Sequence, residues 1–69
     1  MKKDVYIEIL DTPNYSIVEL GRLGGQKAAL RSYTGKEATY DARRFATLIS
    51  EIIGCHLLET KVNSGFDKG

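Results

Sequence analysis

Cys55 and His56, the only cysteine and the only histidine of this 69-residue chain, are neighbours. A thiolate and an imidazole could act as a nucleophile and its base, or as two ligands of a zinc ion. Adjacent residues of a strand point to opposite faces, however, so this pair cannot readily share a proton or a metal. The sequence therefore predicts no metal site and no Cys–His catalytic pair.

The nine carboxylates of the chain show no pair at a recognisable catalytic spacing, although Glu8 and Glu19 could face each other across a hairpin. A chain this short can also spare few apolar residues for a deep pocket. The sequence thus predicts a protein that is not an enzyme, with no catalytic residue and no cofactor. An enzyme site shared between subunits is the usual exception.

Residues 21–27, GRLGGQK, form a glycine-rich stretch with Lys27 at its end. Clustered glycines can expose backbone N–H groups to a phosphate, and a lysine adds charge. The stretch matches neither the P-loop spacing nor the dinucleotide fingerprint, because no GK[ST] follows and no helix is expected to begin there. We interpret it as a connection between two strands.

Positive charge is concentrated in the middle of the chain. Residues 22–44 hold six bases against two acids, a net +4, whereas residues 1–21 carry a net −2. Basic strands with interleaved tyrosines can lie in a DNA groove or hold RNA. The near-zero charge of the whole chain argues against this function. Nucleic-acid binding is the alternative hypothesis, with these candidate residues: Arg22, Lys27, Arg31 and Lys36.

A non-enzymatic interaction module is the leading hypothesis. Such a regulator, adaptor or inhibitor, of the kind common among phage and mobile-element accessory proteins, would present a sheet face or edge to a protein partner. Tyrosine and arginine are the residue types that most often dominate protein interfaces. The candidate contact residues are Tyr6, Arg22, Arg31, Tyr33, Arg43 and Arg44. Homodimerisation is a further expectation, since a shared face would offset a thin core.

Four strands are expected to position these residues. The first two, Val5 to Leu10 and Tyr15 to Leu20, are separated by a Pro-Asn turn and predict a hairpin. Val5, Ile7 and Ile9 would share one face of the first strand. A third strand is expected over Lys27 to Tyr33 and a final one over residues 55–62.

Residues 41–53, DARRFATLISEII, predict an amphipathic helix whose apolar side chains share one arc and pack on the sheet. Asp41 has the chemistry of an N-cap, and Gly54 suits the left-handed residue that ends a helix. Arg43 and Arg44 fall in the first turn, where the helix dipole disfavours cations. That small cost marks both arginines as candidates for function.

Residues 34–40 have two interpretations. Thr34 and Glu37 have the spacing of a capping box, which would begin the helix early. Alternatively, a tight turn at Thr34-Gly35 leads into a short returning strand from Lys36 to Tyr40. We prefer the turn, because Gly35 would occupy the first helical turn.

The fold class that follows is α+β. A three- to four-stranded, mainly antiparallel sheet carries the helix on one face, with residues 1–62 as one compact domain and 63–69 as a flexible tail. The chain has no apolar run long enough to span a membrane and no signal-peptide pattern, so no membrane partner is expected. With its lone cysteine, this predicts a cytoplasmic protein.

Overall fold

The computed structural model describes residues 4–62. In chain order the elements are β1 (Val5–Asp11), β2 (Tyr15–Arg22), β3 (Lys27–Thr34), α1 (Ala38–Ile53) and β4 (His56–Lys61). The strands form one sheet in the order β3-β2-β1-β4. β1, β2 and β3 pair antiparallel as a meander, and β4 pairs parallel to β1 after α1 has crossed over the sheet.

This architecture confirms the predicted α+β class, with one helix on a mostly antiparallel sheet and a final strand. The final strand makes the sheet mixed. The helix carries the chain back across the sheet, so that β4 runs in the same direction as β1. β3 and β4 are the two edges of the sheet. The predicted flexible tail at residues 63–69 lies outside the described residues.

The core lies between α1 and one face of the sheet. Ile7, Ile9 and Val18 are completely buried there, in contact with Ala42 and Ala46 of the helix. Of the predicted Val5, Ile7 and Ile9 face, Ile7 and Ile9 are thus in the core, whereas Val5 is half-buried and lies outside the core cluster. The opposite face of the sheet carries no described element and is called the open face below.

The helix begins three residues earlier than predicted, at Ala38 rather than Asp41. The predicted returning strand from Lys36 to Tyr40 is wrong, and Asp41 is not the N-cap. Glu37 occupies that position without a side-chain hydrogen bond, so the capping box does not form either. Gly35, with φ of 98°, makes the sharp turn that lets β3 lead directly into the helix.

The end of the helix agrees with prediction. Gly54 adopts the left-handed conformation, with φ of 81°, and its N–H donates to the carbonyl of Ser50. This arrangement satisfies a carbonyl that the last helical turn would otherwise leave unpaired. The chain then enters β4 at His56, one residue later than predicted.

A polar cluster anchors the first turn of α1 to the sheet. The buried Asp11 accepts hydrogen bonds on Oδ1 from the hydroxyls of Ser16, at 2.7 Å, and Thr39, at 2.8 Å. Lys61 of β4 lies 3.5 Å from Oδ2. One carboxylate thus ties together β1, β2, β4 and the helix, which fixes where α1 lies on the sheet.

Candidate functional site

α1 buries its small residues most completely, whereas Phe45, Ile49 and Ile53 pack against the core only in part. The buried residues of the helix are Ala38, Ala42, Ala46 and Ser50. Two of its largest apolar residues face solvent instead: Leu48 is 55% exposed and Ile52 is 71% exposed. The prediction that the whole apolar stripe packs on the sheet is therefore wrong for these two residues.

Helical geometry explains which way the exposed residues point. Successive residues turn by about 100°, so Phe45, Leu48 and Ile52 form a row roughly a quarter-turn away from the buried alanines. This row faces the β3 side of the molecule, because Phe45 and Leu48 line the same groove as Arg31 and Tyr33 of β3. The helix therefore presents Phe45 and Leu48 beside an edge strand.

The groove between α1 and β3 is the candidate site, and we call it the α1–β3 groove. It is an open depression of about 450 Å³. Its lining residues are Arg31, Tyr33, Asp41, Arg44, Phe45 and Leu48. Three of the six predicted contact residues meet here, namely Arg31, Tyr33 and Arg44.

Arg31 is held in the groove by aromatic rings. Its guanidinium carbon lies 5.6 Å from the ring centroid of Tyr33 and 5.7 Å from that of Phe45. The two rings are themselves 6.5 Å apart and tilted. Cation–π contacts of this kind orient a guanidinium while leaving its N–H donors available.

Arg44 supplies the second positive charge, from the helix side. Its guanidinium carbon lies 5.7 Å from the ring centroid of Tyr40, which is 57% exposed. Among residues 4–62, neither Arg31 nor Arg44 has a carboxylate within salt-bridge distance. The groove therefore combines exposed apolar surface with two arginines.

The floor of the groove ends at the free edge of β3. Every residue of this strand except Tyr33 is exposed. A register shift between Val18 and Glu19 of β2 leaves Leu30 as an extra residue in β3. Such a bulge interrupts an edge strand, but pairing is regular again from Arg31 to Thr34, where the strand borders the groove.

The other predicted contact residues lie elsewhere. Arg43 points to the β4 side of α1, where its Nη2 donates to Glu59 Oε2 at 2.7 Å. This contact raises the pKa of Arg43. Tyr6 lies on the open face, and Arg22 is at the end of β2. The structure does not bring these three residues to the α1–β3 groove.

Gly21 is the cross-strand neighbour of Tyr6, and the Tyr6 ring packs directly over it. A Cβ atom at Gly21 would lie 2.3 Å from the ring carbon Cζ of Tyr6. Tyr6 is thus half-buried, and its ring covers the sheet where a side chain is missing. This position gives Tyr6 a structural role on the open face.

The four nucleic-acid candidates do not form one surface. Lys27 is engaged on the open face, where its ammonium lies 3.1 Å from the carboxylate of the buried Glu8. Arg31 is on the opposite, helix-facing side of the same sheet, and Lys36 follows β3 at its far end. Alternation along the strands separates charges that are close in sequence.

Glu8 sits at the centre of the open face, opposite Glu19 as predicted. The hydroxyl of Thr60 donates to its Oε2 at 2.6 Å, and Lys27 donates to its Oε1. The hydrogen bond from Thr60, followed by the contacts with Lys27, lowers the pKa of Glu8. The carboxylate is therefore satisfied by neighbours on both sides, as expected for a structural group.

Ser16 is the side chain of the polar cluster with the chemistry of a nucleophile. Its hydroxyl donates to Asp11, but Ser16 is completely buried and no substrate could reach it. Hydrogen bonds from Ser16 first, then from Thr39, lower the pKa of Asp11. We assign this cluster to the stability of the fold.

Among residues 4–62, no group of three or more His, Cys, Asp or Glu side chains is placed to hold a metal ion. Within the same residues, no helix is both long enough and apolar enough to cross a membrane. Comparison of the chain with protein-family models, with curated proteins and with solved structures found no match.

Asp41, Phe45 and Leu48 line the groove without having been predicted as site residues, and Ile52 is exposed one helical turn beyond Leu48. The sequence contains a signal for this arrangement. Alanine or serine occupies every fourth position of α1, at 38, 42, 46 and 50. Small residues along one side of a helix allow close contact with a sheet. Leu48 and Ile52 lie to one side of that contact, whereas Ile49 and Ile53 fall within its arc and pack against the core. Periodicity locates the apolar arc, whereas residue size indicates which part of it is buried.

Proposed function

We propose that this chain is a cytoplasmic, non-enzymatic interaction module that binds a protein partner through the α1–β3 groove. The observation that carries this proposal is the exposure of Leu48 and Ile52 on a helix that buries alanines. Exposed apolar side chains grouped beside polar residues are typical of protein-binding surfaces. Regulator, adaptor and inhibitor are all roles that such a module could serve.

The energetics of the groove favour a partner with apolar side chains. Fully burying a leucine or isoleucine contributes about 1.5–3 kcal/mol, so covering the exposed parts of Leu48 and Ile52 would contribute about 2–4 kcal/mol in total. Phe45 and Tyr33 add aromatic surface at the same place. Aromatic residues and arginine are the types that dominate interface energetics.

The charges of the groove favour a partner that also carries acidic side chains. Arg31 and Arg44 both line it, and Asp41 is its only carboxylate among the lining residues. A guanidinium that is already oriented on aromatic rings can bind a carboxylate with two parallel hydrogen bonds. The partner surface is therefore expected to combine apolar and acidic groups.

Nucleic-acid binding has weaker support. Arg31, Arg44 and the exposed Tyr40 could contact phosphates and a base. Lys27, however, is engaged by Glu8, and the remaining candidates are dispersed around the sheet. DNA and RNA should therefore bind weakly or not at all at moderate salt, and titration at low and moderate salt tests this expectation.

Affinity capture from the native cell with three matched baits tests the proposed function. The baits are the unmodified chain, the double variant Leu48→Glu/Ile52→Glu, and the control Leu58→Glu. Leu58 is exposed to a similar extent, at 47%, but it lies on β4. It is the cross-strand neighbour of Glu8, so its side chain points to the open face of the sheet. Circular dichroism of each bait establishes that it is folded.

We expect a protein that co-purifies with the unmodified chain and with the Leu58→Glu control, but is lost with the Leu48→Glu/Ile52→Glu bait. Loss with the Leu58→Glu bait alone would place the binding surface on the open face and contradict the proposal. Steeply salt-dependent nucleic-acid binding that disappears with Arg31→Ala would instead support the alternative function.

A further inference from the structure

We propose that the partner of the α1–β3 groove is an extended acidic and apolar protein segment that adds to β3 as a fifth strand. This inference rests on the proposed function, and it specifies the conformation and chemistry of the partner. Its basis is the juxtaposition of three features within residues 4–62: a strand edge without a partner, apolar side chains on α1, and two arginines that form no salt bridge.

The free edge of β3 supplies the first feature. Among residues 4–62, β3 pairs only with β2 in the order β3-β2-β1-β4, so half of its backbone N–H and C=O groups face away from this sheet. The stretch from Arg31 to Thr34 lies beyond the bulge and has regular pairing with β2. An added strand could therefore form a short regular ladder there, roughly 13 Å long.

The geometry of strands determines where the side chains of the added segment would point. Cross-strand neighbours share a face, and Arg31 and Tyr33 both point to the helix side. Alternate side chains of the added strand would consequently lie in the groove, facing Phe45 and Leu48 of α1. The remaining side chains would lie beside Ser32 and Thr34, where polar groups are accommodated.

Charge complementarity decides between a partner segment and a second copy of this chain. β3 carries two bases, Lys27 and Arg31, and no acid. Two copies that paired through β3 would bring these positive charges together, with Arg44 adding to them in each groove. A segment with carboxylates at positions that face the groove would instead pair with Arg31 and Arg44.

Selection from a phage-displayed library of random ten-residue peptides, with the full chain as immobilised target, tests the inference. A parallel selection uses the Leu48→Glu/Ile52→Glu variant. We expect the unmodified chain to enrich peptides in which apolar and acidic residues together occupy every second position, so that both face the groove, and in which central proline is absent. These peptides should lose at least about tenfold in affinity for the variant.

Backbone methylation of the best peptide then separates strand addition from other modes of binding. In an extended strand, the N–H groups of alternate residues point to opposite edges. One N-methylated set removes the donors that face β3, and the other set removes donors that face solvent and is the matched control. We expect a loss of roughly tenfold or more with the first set and less than about threefold with the second.

The outcomes distinguish the inference from the proposed function. Equal effects of the two methylated sets, with binding still lost in the Leu48→Glu/Ile52→Glu variant, would overturn strand addition and leave the groove as the binding site. Peptides that bind the variant as well as the unmodified chain, or no enriched peptides, would overturn both. A stable dimer in sedimentation that dissociates in the variant would show that the occupant is a second copy, which also contradicts the inference.

Discussion

Leu48 and Ala46 lie two residues apart on α1 with opposite burial: Leu48 is 55% exposed, and Ala46 is completely buried. A helix that only had to cover this sheet would gain more by burying the leucine. The helix instead approaches the sheet through its small residues, with Ile49 and Ile53 partly buried beside them, and keeps Leu48 exposed beside β3. That choice of contact is the basis for proposing a binding surface here.

Removing the larger side chain, at Leu48, should affect the free energy of unfolding less than enlarging the smaller one, at Ala46. Leu48→Ala should lower the free energy of unfolding by about 1 kcal/mol or less, because more than half of the side chain is already exposed. Ala46→Leu should destabilise the fold by about 1–3 kcal/mol through overpacking against Ile7, Ile9 or Val18. Urea denaturation followed by circular dichroism measures both. A loss above about 1.5 kcal/mol for Leu48→Ala would show that Leu48 belongs to the core.

Gly21 and Tyr6 should be coupled in stability. Gly21→Ala places a methyl group where the Tyr6 ring lies, so it should cost about 1–3 kcal/mol. In a Tyr6→Ala background the same change should be nearly neutral, because the obstacle has been removed. A double-mutant cycle from four denaturation curves gives the coupling energy. Equal costs in the two backgrounds would contradict the packing of Tyr6 over Gly21.

Asp11 should be important for stability, because it accepts the hydroxyls of Ser16 and Thr39 in a buried site. Asp11→Ala leaves both donors without their acceptor and should cost about 2–3 kcal/mol at pH 7. Asp11→Asn retains an acceptor oxygen and is the matched variant, with a smaller expected cost. Urea denaturation of the three proteins at pH 7 measures these differences.

The contribution of Asp11 should also depend on pH. Its pKa is lowered in the folded protein by the hydrogen bonds from Ser16 and Thr39, so the ionised form binds more strongly to its surroundings than the neutral form. Its contribution is complete above about pH 5 and is lost as the pH falls below about 4, toward the folded-state pKa. The stability difference between the unmodified chain and Asp11→Asn should therefore shrink in acid. A difference that grew in acid would contradict the assigned direction.

Arg43 and Arg44 form a matched pair for charge reversal. Both are in the second turn of α1, but Arg43 is engaged by Glu59 on the β4 side and Arg44 lines the α1–β3 groove. Arg44→Glu should weaken binding of an acidic groove ligand by roughly tenfold or more. Arg43→Glu should change it by less than about threefold. Isothermal titration with a library-selected peptide compares them, and equal effects would argue for nonspecific charge attraction.

The fold was largely predictable because its signals are local. Alternation in β1, the Pro-Asn turn and Gly54 each determine structure over a few residues. The start of α1 was mispredicted because Gly35 ends the turn rather than interrupting a helix, and because Glu37 serves as N-cap without a side-chain hydrogen bond. A favourable capping residue, Asp41, was present inside the helix, where its carboxylate still lies in the first turn.

The site was only partly predictable. Residue type alone selected Arg31, Tyr33 and Arg44, which the structure brings together, and also Tyr6, Arg22 and Arg43, which it places elsewhere. Tertiary contacts separate the two groups. Arg43, for example, donates to Glu59 on β4, and nothing in the local sequence indicates that contact. The exposure of Leu48 and Ile52 likewise depends on how α1 is rotated over the sheet, which is a tertiary property.

Site-specific photocrosslinking in the native cell tests the central claim most directly. A photoreactive phenylalanine analogue is placed at position 48 in one variant and at position 58 in the other, since both leucines are exposed and lie on different elements. If the α1–β3 groove binds a protein partner, illumination should produce a crosslinked protein adduct from position 48 and little or none from position 58. An adduct from position 58 alone, or the same adduct in equal yield from both positions, would contradict the account.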